Sequence, residues 1–117
     1  MGLVRFDRDK DNVISGSYSD ARGPVLRSRH QEVTKVWFPK GEGARPHAHP
    51  EEQTFYILEG RLRVTLGDEE PYEVGPGEGS FHPSNVPHQV EALEDTVAIS
   101  FKNVVDPTQY KATGQLH

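Results

Sequence analysis

Turn-forming residues cut this chain into short pieces. Eleven glycines and nine prolines are spread over 117 residues, and the runs between them leave no room for a long amphipathic helix. The patterned runs have the period of a strand instead. Residues 61–66 alternate strictly, with Leu62, Val64 and Leu66 on one face and Arg61 and Arg63 opposite, in solvent or at an interface. Residues 33–38 are β-branched and aromatic and stop at Pro39-Lys40-Gly41. Residues 53–58, 71–74, 88–93 and 96–101 read as further strands, with turns at Gly60, 67–70, Gly75-Pro76-Gly77 and 94–95. Seven or more short strands without a helix predict an all-β sandwich or barrel.

The length fits one domain. We expect an N-terminal arm with the first strand or strands over 1–32, the barrel core over 33–105, and a polar tail over 106–117. Only 33% of the residues are hydrophobic, which suits a thin core completed by a dimer interface. The absence of cysteine excludes disulfides, thiolate ligands and a thiol nucleophile, and it is compatible with a reducing cytoplasm. A net charge of −5 argues against a nucleic-acid partner. No apolar run approaches the roughly 18 residues a membrane span needs, and no signal peptide is visible, so a soluble cytoplasmic protein is expected. The charged run Asp7-Arg8-Asp9-Lys10-Asp11-Asn12 reads as a solvated turn, because the glycine and glutamate of a calcium loop are missing.

The chemistry concentrates around Arg45-Pro46-His47-Ala48-His49-Pro50. On a strand His47 and His49 share a face, about 7 Å apart along the chain, and so form half of a metal site. In a polar loop the same pair is simply solvated. A third histidine, His88 in Val86-Pro87-His88, can complete the set.

Two spacings resemble the cupin family, the double-stranded β-helix or jelly-roll barrel. Gly41 is followed by five residues, then His47-Ala48-His49, then three residues to Gln53 and six more to Gly60. Gly77 is followed by five residues, then Pro83-Ser84-Asn85 and His88. This matches the two cupin motifs except that Gln53 replaces a glutamate, Asn85 a glycine and Ala92 an asparagine. The resemblance implies two antiparallel sheets and a ligand set of His47, His49, Gln53 and His88 around one divalent transition metal. Such donors suit Ni, Fe, Mn, Zn, Co or Cu rather than Mg or Ca. Glu52, the alternative acid, is one position early and has the wrong parity. Glutamine offers a carbonyl oxygen and no proton-accepting charge, so the ion keeps its full Lewis acidity.

The resemblance extends to small pectin-degradation cupins that open unsaturated uronates. It implies a metal-dependent enzyme acting on a sugar- or uronate-like substrate, as a homodimer whose arm packs across or exchanges. The same ligands also fit an Fe- or Ni-dependent dioxygenase or a non-catalytic ligand-binding cupin. The uronate enzymes use an acid on the last strand. Here Val97, Ile99, Phe101 and Asn103 share a parity that would face the pocket, with Ser100 the alternative if the register slips, and none is acidic. Gln53, His82 and Asn103 are the catalytic candidates, His82 as a proton shuttle or a plain strand-edge histidine. Arg45, Phe55, Phe101 and Asn103 are the pocket candidates, although Arg45 also reads as solvated and Phe55 as core. Of Trp37 and Phe38, one belongs in the core and the other at the pocket mouth or an interface. His30 and His117 have no case as ligands.

Overall fold

The computed structural model describes residues 2–106, so His117 and the tail beyond Asp106 lie outside the described residues. The described part holds β1 (Val25–Arg27), β2 (Gln31–Phe38), β3 (Gly43–His47), β4 (Gln53–Glu59), β5 (Leu62–Leu66), β6 (Tyr72–Val74), β7 (Gly79–His82), β8 (His88–Ala92) and β9 (Thr96–Asn103). They form one sheet in the order β1-β2-β9-β4-β7 and a second in the order β3-β8-β5-β6. Every pairing is antiparallel. The expected all-β jelly roll is therefore present. The three strands that composition did not announce, β1, β3 and β7, are short and carry Gly, Pro, Ser or charged residues.

Register explains what faces inward. Glu32, Lys102, Gln53 and His82 are successive cross-strand partners and form one row over the large sheet. Thr34, Ser100, Phe55 and Ser80 form the next row, and Val36, Ala98 and Ile57 the third. The interior thus grades from polar to apolar along the strands. The small sheet does the same, from His47, His88 and Leu66 to Ala92, Leu62 and Val74. Ile57, Leu62, Val64 and Ala98 are fully buried at the apolar end. Phe38 belongs to this core, whereas Trp37 lies on the outer side beneath the ammonium groups of Lys10 and Lys35.

The last strand corrects one expectation. Ala98, Ser100 and Lys102 point inward, while Val97, Ile99, Phe101 and Asn103 point outward. Phe101 is 46% exposed and does not line the pocket. Asn103 is exposed and accepts a hydrogen bond from the Glu52 amide at 2.7 Å. Apolar parity misled here because the outer face of this sheet is itself apolar: Tyr56, Leu58, Phe81 and Phe101 are all exposed on it. Inside, the larger groups come from β2, β4 and β5, which leaves room only for small side chains on most of β9.

The segment before β1 lies on its own barrel. Asp20 and Gly43 exchange hydrogen bonds, the Asp20 amide to the Gly43 carbonyl at 2.8 Å and the Gly43 amide to Asp20 Oδ2 at 3.1 Å. The second bond holds the Asp20 carboxyl below its usual range. The Arg45 amide donates to the Tyr18 carbonyl at 2.7 Å, and Ile14 and Tyr18 pack against the core.

Gly60 makes the turn from β4 to β5 at φ 88°, and a Cβ there would lie 2.3 Å from the Asp95 carbonyl oxygen. Gly77 has φ 83° with no heavy atom within 4 Å of its Cβ position. Gly77→Ala should therefore carry only the left-handed strain, about 1 kcal/mol, and Gly60→Ala a further ~1–3 kcal/mol from the backbone clash. Urea denaturation of both variants checks the difference; equal losses would contradict it.

Candidate metal centre

His47 closes β3, and its cross-strand partner His88 opens β8. The register shifts between Ala44 and His47, so this strand end is irregular. His49 lies beyond the strand, in a loop tied to the one that precedes β8. The Asn85 amide donates to the His49 carbonyl at 2.8 Å, and Ser84 Oγ donates to the Pro50 carbonyl at 2.6 Å. Asn85 sits at φ 61°, which explains a motif position that favours glycine: asparagine is among the few other residues that tolerate this conformation. Bridged in this way, the two motif loops bring three imidazoles together. Ring centroids are 5.4 Å apart for His47–His49, 4.3 Å for His47–His88 and 4.9 Å for His49–His88.

Each ring is held by one nitrogen. Nδ1 meets a backbone carbonyl in all three: Arg45 for His47 at 2.7 Å, Glu51 for His49 at 3.0 Å and Val86 for His88 at 3.0 Å. A carbonyl only accepts, so Nδ1 carries the proton and Nε2 keeps a lone pair. Nε2 of His49 and of His88 is buried with no hydrogen-bond partner. The three candidate donor atoms lie within 4.8 Å of one another. Two nitrogens on one ion at about 2.1 Å each lie at most about 4.2 Å apart, so little closure is needed. Orphaned, buried, converging lone pairs fit a transition metal of the kind imidazole prefers.

Burial favours the neutral form of His47 and His88. His88 is lowered to about 4 mainly by desolvation, with the neighbouring charges of His47, His49 and Lys102 adding to it. His47 is lowered for the same first reason, and Tyr18 stacks on it at 3.8 Å. His82 is fully buried and lowered to about 3, again mainly by desolvation. Its Nε2 is 2.8 Å from Ser80 Oγ, which in turn lies 2.7 Å from the Tyr72 hydroxyl. Its ring stands 4.4 Å from that of His88, and its Nδ1 has no partner.

Gln53 is buried beside this cluster and donates from Nε2 to Ser100 Oγ at 2.8 Å, which leaves its carbonyl oxygen as the free end. Glu52 is exposed and turned away. A cavity of ≈ 510 Å³, counted to its open mouth, is lined by His47, Gln53 and His88 together with Phe55, Phe38, Val36 and Val90. Phe55 is both core and wall, in edge contact with Phe38 and His82. Arg45 does not line this cavity: it is exposed and bonded to Asp20 Oδ1 at 3.2 Å, because the register shift between Ala44 and His47 separates it from His47, whose parity it shares. Ser100, the alternative for the last strand, lines it, and so do Tyr18, Glu32 and Lys102, none of which stood out as a site residue in the sequence. Glu32 and Lys102 were legible only through the inward parity of β2 and β9, which requires knowing which face is inside.

Two antiparallel sheets closed into a barrel, with a cluster of three histidines that could hold a metal ion, define a cupin-type barrel. The chain belongs to the cupin family: the cupin domain model Cupin_2 matches residues 35–104. It is 38% identical over 59 residues to dimethylsulfoniopropionate lyase DddQ of Ruegeria pomeroyi, a match covering 50% of this chain and 29% of the lyase. It is 37% identical over 70 residues to an uncharacterized protein of Methanocaldococcus jannaschii, covering 59% of this chain and 55% of that protein. The chain thus spans about half or less of the length of the curated relatives it matches. Among solved structures, KdgF from Halomonas sp. superposes with a TM-score of 0.69 at 21% identity, covering 81% of this chain and 90% of KdgF. An RmlC-like cupin from Shewanella frigidimarina superposes with a TM-score of 0.70 at 22% identity, covering 88% and 90% respectively. At these identities the superpositions establish the fold alone.

The lowered histidines set a pH dependence. Unfolded, each titrates near 6.5; folded, His82 and His88 take up protons only near 3 and 4. The unfolded chain therefore binds more protons in between. Stability should be complete above about pH 6.5 and fall below it, by up to about 1.4 kcal/mol per pH unit for each histidine. Urea midpoints of metal-free protein between about pH 7 and about pH 5 test this, and a flat profile would contradict it.

Proposed function

We propose that this cupin is a metal-dependent enzyme that acts on the oxygens of a small polar substrate, sugar- or uronate-like, with His47, His49, His88 and Gln53 as ligands. The observation that carries the reading is the clustering of three imidazole donor atoms within 4.8 Å, each ring held at Nδ1 by a backbone carbonyl. A divalent transition metal bound there supplies Lewis acidity toward carbonyl and hydroxyl oxygens. Gln53, oriented by Ser100, adds an oxygen donor without a negative charge. The apolar wall of Val36, Phe38 and Phe55 limits water on one side.

The proton acceptor in this reading is the carboxylate of Glu32. It lines the same cavity and sits beside the last strand, as the partner of Lys102. A carboxylate from β2 thereby takes the place of the acid that the last strand lacks. His82, its buried ring lowered to about 3, is a weak base. The sequence match to a lyase of dimethylsulfoniopropionate favours a second reading, elimination from a carboxylate substrate. Abstraction of a proton by Glu32 serves either reaction. We also propose a homodimer across the outer face that carries Tyr56, Leu58, Phe81 and Phe101; exposed apolar patches of this kind mark interaction surfaces.

Elemental analysis of protein purified without chelator or affinity nickel should find one transition-metal ion per chain. His88→Ala should weaken its uptake by at least about 100-fold. Absence of uptake by the wild type ends the metal reading. With unsaturated galacturonate as substrate, Glu32→Gln should retain the metal and lower turnover by roughly 10²–10⁴-fold. Unchanged turnover would remove Glu32 from the mechanism.

A further inference from the structure

The cavity holds one fixed positive charge whose role the ligand set does not account for. Lys102 faces inward on β9, next to Gln53 on one side and Glu32 on the other. Neighbours paired in this way have Cβ atoms about 5 Å apart. Lys102 and Glu32 are the charged Lys, Arg, Asp or Glu side chains among the residues that line the cavity. Lys102 is largely buried, with only 19% of its side chain exposed.

An inward lysine is ordinarily held by a close counter-ion. This one is not. Its Nζ lies 3.9 Å from Glu32 Oε2, beyond hydrogen-bonding distance. Glu32 has a second cation at a similar range, Arg27 Nε at 4.0 Å. Glu32 is thus flanked by two positive groups, and one of them, Lys102, opens on the cavity that contains His47 and His88. Glu51 also lies at the rim, beside His49. Among the described residues that line the cavity, Glu32 is the one carboxylate.

We propose that Lys102 is the residue by which this pocket selects an anionic substrate. It takes the carboxylate of a small hydroxy- or keto-acid whose other oxygens face the three histidines. This deepens the function proposed above and rests on it for the placement of those other oxygens. An ammonium at the polar end of the row and an apolar wall at the other end orient such a molecule in one direction. A neutral sugar gains nothing from Lys102, and a dianion meets Glu32. Lys102 is therefore a specificity residue, distinct in role from the metal ligands and from the proton acceptor.

The test uses two ring compounds that differ only in the acid group, D-galacturonate and D-galactose, titrated into metal-free and zinc-loaded protein and followed by amide NMR shifts. The wild type should prefer the acid in both states, with shifts centred on residues 100–103. Lys102→Met should weaken galacturonate binding by about tenfold or more, as expected for loss of one charged hydrogen bond, and leave galactose unchanged. Lys102→Arg should restore most of the preference. Zinc uptake, measured separately by calorimetry, should be the same in all three proteins. An absence of preference for the acid in the wild type, or an undiminished preference in Lys102→Met, overturns the proposal. Failure of the wild type to take up zinc overturns the metal reading instead, and the metal-free titration still decides the role of Lys102.

Discussion

The site depends on the position of β9 between β2 and β4. This strand is hydrogen-bonded along its whole length on one side and most of it on the other. Its register puts Lys102, Ser100 and Ala98 inside and ties each to a named neighbour. A slip of one residue would exchange that set for Phe101, Ile99 and Val97, because side chains alternate with a period of two. Gln53 would then lose Ser100, and the cavity would gain bulk where it now has space. The inner surface is therefore a consequence of strand pairing rather than of any single side chain.

Backbone carbonyls do the corresponding work on the small sheet. Arg45, Glu51 and Val86 each offer an oxygen to an imidazole Nδ1, two of them from positions two residues before the ring and one from two residues after. These contacts choose the tautomer and aim the lone pairs inward. They need no particular side chain at the accepting position, so they leave little trace in sequence. The Asn85 turn and the Ser84–Pro50 contact hold the loops that present them.

Burial then shapes the electrostatics. His82 and His88 are kept neutral by desolvation, which suits metal binding in one case and a quiet hydrogen-bonded interior in the other. Charge is confined to the mouth, where Glu32 and Lys102 share the first row of the large sheet. The cavity is thus apolar at depth, imidazole-lined in the middle and charged at its entrance, an order that follows from the rows of the two sheets.

The local patterns determined the fold class. Short alternating runs, turns at Gly60, Gly67 and Gly77, and the spacing around His47, His49 and His88 are all properties of neighbouring residues, and each survived into the barrel. What the sequence alone left open was the side of each strand that faces inward. Alternation gives two faces but does not label them when both are partly apolar, as on β9, where Phe101 and Ile99 suggested the wrong one. Only closure of the two sheets decided that Lys102 and Glu32 enter the cavity, that Arg45 leaves it and that Tyr18 from the arm covers His47. Those contacts join residues far apart in the chain, and no local periodicity encodes them.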